Sequence, residues 1–227
     1  MSRKFKTGYF PDYRLLLKED IDAVIICSET ARHRPLAVAA AQAGKHILCE
    51  KPIAATLYDA KVMLEVARRR KIKFQTAFPC RFSPSIMRVK ELVEDGTIGD
   101  VLAVKATNQG TMPGGWFVQK KESGGGAVMD HTVHVVDLLR WILKKEVKDV
   151  YEEIDTKFYR LSVDDCATLT MELEGGIFAT LDPSWSIPCR SYPAGGNVTM
   201  EFIGTKGTVS ADIFNQKLTL YNNDRVR

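Results

Sequence analysis

From Ile21 to Phe78 the chain alternates short apolar runs with segments of helical length, and no other feature restricts its fold as much. "IDAVIIC" (Ile21 to Cys27) is nearly continuous in apolar, mostly β-branched residues, the pattern of a strand covered on both faces in a parallel sheet. "RPLAVAAAQAG" follows at helical length, with Gly44 placed to take the left-handed conformation after the last turn. "HILC" reads as the next strand. "TLYDAKVMLEVARRR" is an amphipathic helix with Thr56 as N-cap and Asp59 three residues on, an acidic variant of the capping box. "KIKFQTAF" closes the series as a third strand. Strand, helix, strand, helix, strand with short links means βαβ units, hence a parallel sheet with right-handed crossovers.

The grammar changes after Pro79. "SPSIMRVKELVEDG" is a helix with Ser83 ahead of it, Pro84 at its first position and Gly96 at its stop. A strand, "GDVLAVKATNQG", and a glycine-rich loop precede a long helix from about Ala127 to Lys144. Only strand-like runs follow, with Gly-Gly, Gly-Thr-Lys-Gly and Asn-Asn at their turns, the punctuation of a meandering antiparallel sheet. The expected architecture is α/β: a partial Rossmann-type parallel sheet over residues 1–79, then an α+β domain over 80–227 built on an open, mainly antiparallel sheet.

A length of 227 residues, 45% of them hydrophobic, suffices for a sizeable core. The net charge of +4 is interspersed, and its longest basic run, Arg68 to Lys71, falls at a helix end where cations favour the dipole. No nucleic-acid partner is expected. No apolar run approaches membrane-spanning length, and Met1 to Lys6 is polar and basic, so neither a membrane nor a secreted form is expected. Five widely spaced cysteines, Cys27, Cys49, Cys80, Cys166 and Cys189, with no CxxC, suit reduced thiols in a cytoplasmic protein.

Ligands of parallel sheets collect at the C-terminal ends of the strands. Two neighbouring strand ends would offer Ser28, Glu29, Thr30 and His33 beside Glu50 and Lys51, with Pro52 next in line. The alternative is a solvated loop with a proline that ends the strand. A second group lies in "SGGGAVMDHTVHVVDLLRW": at 100° per residue Asp130, His134 and Asp137 share one helix face, with His131 and Arg140 nearby. A carboxylate one turn from an imidazole can fix its tautomer and hold it as an acid or base. Competing readings are Asp130 complementing the helix dipole, His134 as a core histidine, Asp137 paired with Arg140, and a divalent metal on Asp130, His134 and Asp137, which no zinc-type spacing supports.

In their order, "IDAVIICSETARH", "AGKHILCEKPIA", "RFSP", "GTIGDV", "GGGAVMDHTVHVVD", "DDCATL" and "IGTKGTV" resemble the glucose-fructose oxidoreductase, inositol dehydrogenase and MocA family of NAD(P)-dependent oxidoreductases. The resemblance implies an NAD or NADP cofactor across the parallel sheet and a sugar, cyclitol or related polyol substrate. It implies Lys51, Asp130 and His134 at the reacting carbon, Glu50 near the nicotinamide ribose, and Ser28, His33 and Pro52 on the cofactor side. Arg81 would face cofactor or substrate, and Trp116 the substrate. It further implies a Lys51–Pro52 peptide that is often cis, and a homodimer or homotetramer formed through the antiparallel sheet. His134 is then the expected base, oriented by Asp130, and no resident metal is expected.

The chain departs from the family in one large respect. A GxGxxG turn does not occur in it, Gly8 being the only glycine before Ala23. Without that turn's backbone N–H groups the chain as written is expected to bind a dinucleotide poorly. It is read as part of a longer oxidoreductase, a product started at an internal methionine, or a shortened relative whose sheet another chain completes. A non-catalytic binding or regulatory relative of the same fold is the competing functional expectation.

Overall fold

The structure is a computed structural model that describes residues 7–188 and 196–222; Cys189 and the segment Met1 to Lys6 lie outside them. Two compact units divide the chain, Met1–Ala77 and Phe78–Arg227.

The first unit holds a short helix α1 (Tyr13–Leu16), then β1 (Ala23–Ile26), α2 (His33–Gln42), β2 (His46–Cys49), α3 (Leu57–Arg69) and β3 (Phe74–Thr76). Its three strands run parallel in the order β1-β2-β3, as the alternation of strand and helix requires. Gly44 has φ of +76°, which stops α2, and Thr56 caps α3 by accepting the Asp59 N–H at 3.1 Å. Ile26, Ile47, Cys49, Ala37, Ala40, Ala41 and Met63 form the core. One expectation fails. β1 is not covered on both faces: Ile26 is buried while Ile25 on the other face is 68% exposed, and β1 is also an edge strand.

In the second unit follow α4 (Pro84–Glu94), β4 (Val101–Gln109), a one-turn α5 (Lys120–Ser123), α6 (Ala127–Leu143) and the strands β5 (Val147–Asp155), β6 (Cys166–Leu173), β7 (Phe178–Ser184), β8 (Asn197–Gly204), β9 (Gly207–Asp212) and β10 (Lys217–Asn222). They form one seven-stranded sheet in the order β10-β9-β8-β4-β7-β6-β5. It is not a simple meander. β4 lies between β8 and β7 and pairs with β7 in parallel, while every other pair is antiparallel.

One sheet face carries the core. β6 alternates buried and exposed residues strictly, the mark of a sheet with one wet face. Val135, Leu138, Leu139 and Ile142 make the i, i+3, i+4, i+7 stripe of α6 and are at most 2% exposed. Burying each contributes about 1.5–3 kcal/mol. The stripe packs with Val104, Leu169, Leu181 and Phe202, so the helix that carries Asp130 and His134 is fixed to the sheet along its length.

Candidate active site

Each unit presents its own group of candidate residues. In the first they lie past the C-terminal ends of β1 and β2. The Glu50 N–H bonds to the Ile26 carbonyl at 2.9 Å, which extends the ladder one residue beyond β2, and the Glu50 carboxylate turns back to accept the Lys51 N–H at 3.2 Å. The Lys51–Pro52 peptide is cis. Ser28 and Lys51 are half-buried.

His33 sits beneath this turn rather than on its surface. It is 1% exposed, with Nδ1 at 3.1 and 3.2 Å from the carbonyls of Pro52 and Ile53 and Nε2 at 3.1 Å from that of Ser28. All three partners are acceptors, so the imidazole staples the two strand ends together.

Cys49, fully buried at the end of β2, has its thiol pushed up to about 12, first by burial, then by the charge of Glu50 and by Cys27. Thiolate is the reactive form, so at pH 8 roughly one Cys49 in 10⁴ is reactive. Iodoacetamide at pH 8 should therefore label the exposed Cys27 and leave Cys49 untouched in the folded protein, with both labelled in urea, as read by peptide mass spectrometry. Equal labelling of both thiols in the native protein would contradict the buried turn.

In the second unit the site is built on the start of α6. Helix N-termini leave orphan N–H groups, and the N-cap, Gly126, has no side chain to meet them. Asp164 does so from a distant loop: its carboxylate accepts from Gly126 at 3.0 Å and Val128 at 2.7 Å, and its carbonyl from Ala127 at 2.9 Å. The closeness explains the glycine, since a Cβ on Gly126 would lie 1.9 Å from the Asp164 carbonyl oxygen.

Asp130 and His134, one turn apart on α6, are both half-buried. His134 Nδ1 lies 3.7 Å from Cys80 Sγ, and Asp130 Oδ2 lies 3.4 Å from Nε2 of His131. Asp137, 7% exposed, does not pair with Arg140. Arg81 grips it through two bonds of 2.7 and 2.5 Å, while Arg140 binds Glu146 beyond the helix end. That bidentate contact raises the Arg81 guanidinium's affinity for its proton. The Arg81 side chain, 36% exposed, lies 5.8 Å from the Phe78 ring and 5.5 Å from that of Trp141. A metal on Asp130, His134 and Asp137 would have to displace this guanidinium, and among the described residues no group of three metal-ligating side chains is gathered. Trp116 lies in the loop before α5, half-buried and stacked on Phe117 at 3.9 Å between centroids.

Sequence reasoning missed Asp164, Cys80 and Asn108, because only tertiary contacts bring them to α6. It noted His131 without a role.

Residues 1–78 match the family model described as oxidoreductase family, NAD-binding Rossmann fold, and residues 86–210 match the GFO/IDH/MocA C-terminal domain. The chain is 35% identical over 206 residues to the uncharacterized oxidoreductase YrbE of Bacillus subtilis, covering 88% of this chain and 58% of that protein. It is 30% identical over 209 residues to the myo-inositol 2-dehydrogenase of Thermotoga maritima, covering 90% and 60%. Among solved structures, levoglucosan dehydrogenase in complex with NADH and levoglucosan superposes with a TM-score of 0.90 at 26% identity, covering 99% of this chain and 64% of that one. The chain thus spans about three fifths of the length of the curated relatives it matches. Matched in both units and in the same order along the sequence, it belongs to the GFO/IDH/MocA family of oxidoreductases.

Proposed function

We propose that the protein is an NAD(P)-dependent dehydrogenase that moves a hydride between a nicotinamide cofactor and a hydroxyl or carbonyl carbon of a sugar, cyclitol or related polyol. One observation carries the reading: both domains of a hydride-transferring family are matched, and each holds, at a strand end or a capped helix start, the polar groups this chemistry needs. The residues past β2 suit the nicotinamide-ribose end of a dinucleotide, because a carboxylate at Glu50 accepts from ribose hydroxyls and Ser28 supplies a further polar contact. With Pro52 they would hold that end, and His33 would support them from below. A bound nicotinamide supplies the hydride acceptor.

The chain's own groups do the rest. His134 takes the hydroxyl proton at Nε2, its Nδ1 side being turned to Cys80. A positioned base of this kind is worth roughly 10² to 10⁴ in rate. Lys51 stabilises the developing alkoxide with its ammonium, and Asp130 orients His134. Trp116 is assigned to the substrate. Arg81 acts at the site by holding Asp137, and with it the segment that carries Cys80, against α6. In the same reading subunits associate through the open face of the large sheet, which is polar: Thr107 bonds Thr199, and Lys105 pairs with Glu201 at 3.1 Å. Such a face is suited to hydrogen-bonded pairing with a second copy.

The test is a fluorescence titration of the protein with NADH and NADPH, in the longest form in which this sequence occurs, followed by turnover on a panel of inositols and anhydrosugars. Saturable binding of one cofactor and reduction of NAD or NADP by at least one polyol are expected. Binding of neither cofactor would overturn the reading and leave a non-catalytic relative of the fold. Full turnover by Lys51→Met would remove Lys51 from the mechanism.

A further inference from the structure

Adjacent residues on a helix point about 100° apart and do not normally meet. Asp130 and His131 do, with Oδ2 and Nε2 3.4 Å apart, both side chains about one-seventh exposed. The other side of the His131 ring is anchored. Nδ1 lies 2.8 Å from the carbonyl oxygen of Asn108 near the end of β4, and the Asn108 amide donates to the His131 carbonyl at 2.9 Å. Asn108 is 5% exposed, so this reciprocal pair is sealed from water. Space for the ring is made by Gly110, where a Cβ would stand 2.9 Å from the His131 Cε1.

A carbonyl only accepts, so Nδ1 carries hydrogen. Nε2 then faces the Asp130 carboxylate at 3.4 Å, an acceptor placed to receive from a protonated Nε2. We propose that His131 is a positioning residue of the active site: anchored to β4 through Asn108, it holds the Asp130 carboxylate in one orientation through its Nε2 side. The inference rests on the reading of Asp130 as part of the hydride-transfer machinery.

Two substitutions separate the two ends of the ring. Asparagine places its amide nitrogen where Nδ1 was, keeping the bond to Asn108 and losing the contact with Asp130; glutamine reaches the Nε2 position and donates to Asp130. His131→Asn should lower kcat roughly 10- to 100-fold, the scale on which misplacing a positioned group by about 1 Å acts, with KM for cofactor within about twofold. His131→Gln should recover most of that loss. On an Asp130→Asn background, His131→Asn should add nothing further, because both changes remove one interaction. A readout independent of activity is the ¹⁵N spectrum of the protein, whose four histidines are few enough to assign. His131 Nδ1 should be protonated, and its Nε2 signal should move on Asp130→Asn.

Additive losses in the double variant, an unmoved Nε2 signal, or His131→Asn at parental kcat while Asp130→Asn is crippled would each overturn the positioning role and leave Asp130's own role intact. Asp130→Asn at full turnover would instead overturn the assignment of Asp130 and His131 together.

Discussion

Exchange of His134 for alanine should lower turnover of the polyol substrate by roughly 10²- to 10⁴-fold, the range a positioned general base supplies, while cofactor affinity stays within about twofold. The loss should appear in kcat and kcat/KM alike, because proton removal is demanded only in the transition state. The imidazole is half-buried on a helix whose buried stripe anchors it to the sheet, so its removal is not expected to disturb the fold. A control lies next to it. Cys80→Ala removes the sulfur 3.7 Å from Nδ1 but leaves the base in place, so its effect on turnover should be far smaller. If His134→Ala turned over at the parental rate with its thermal unfolding unchanged, His134 would have to be reassigned as a structural histidine of α6.

How much of this was legible along the chain depends on how local each interaction is. Gly44, the Thr56 cap and the stops of α2 and α4 are read within four or five residues, because the hydrogen bonds they satisfy are that local. Asp130 and His134 fall on one face of α6 by helical period alone. The parallel pairing of β4 with β7 was not legible, since it joins residues 75 apart, as Ala103 with Phe178, and adjacent strands more often pair antiparallel. The same holds for the ion pairs. Arg140 has Asp137 one turn away on its own helix. Yet Lys144, with φ of +55°, turns the chain so that Glu146 returns to Arg140, and Asp137 is left to Arg81 from 56 residues earlier. The start of α6 at Ala127 was legible from the glycine run before it, but its cap was not: Gly126 is there because the Asp164 carbonyl, 38 residues on, occupies the place of a side chain.

The largest loss of stability is expected at Asp165, to which the sequence drew no notice beyond its place in "DDCATL". Its carboxylate is fully buried and accepts three backbone N–H groups, from Lys157 at 2.8 Å, Phe158 at 3.0 Å and Tyr159 at 2.8 Å. Its own N–H bonds to the Asp155 carbonyl and its carbonyl accepts from Trp185, so one residue ties the ends of β5 and β7 to the loop between β5 and β6. Alanine would leave three donors without partners. At about 1–3 kcal/mol for each buried unsatisfied group, the loss is on the order of 3–9 kcal/mol, a large part of the roughly 5–15 kcal/mol that holds a typical domain together. Asparagine should cost less: its single amide oxygen can replace Oδ2 and keep the Phe158 and Tyr159 bonds, while its NH₂ group opposes the Lys157 N–H. Urea unfolding followed by tryptophan fluorescence reports on this unit alone, since Trp116, Trp141 and Trp185 all lie beyond residue 77. An alanine variant within 1 kcal/mol of the parent would mean that water reaches the three N–H groups and that Asp165 is not the anchor of this loop. The effect should reach the candidate site as well, because the residue before it is Asp164, the cap of α6. Loosening the loop withdraws the acceptors from Gly126, Ala127 and Val128, and the first turn to fray is the one that ends at Asp130.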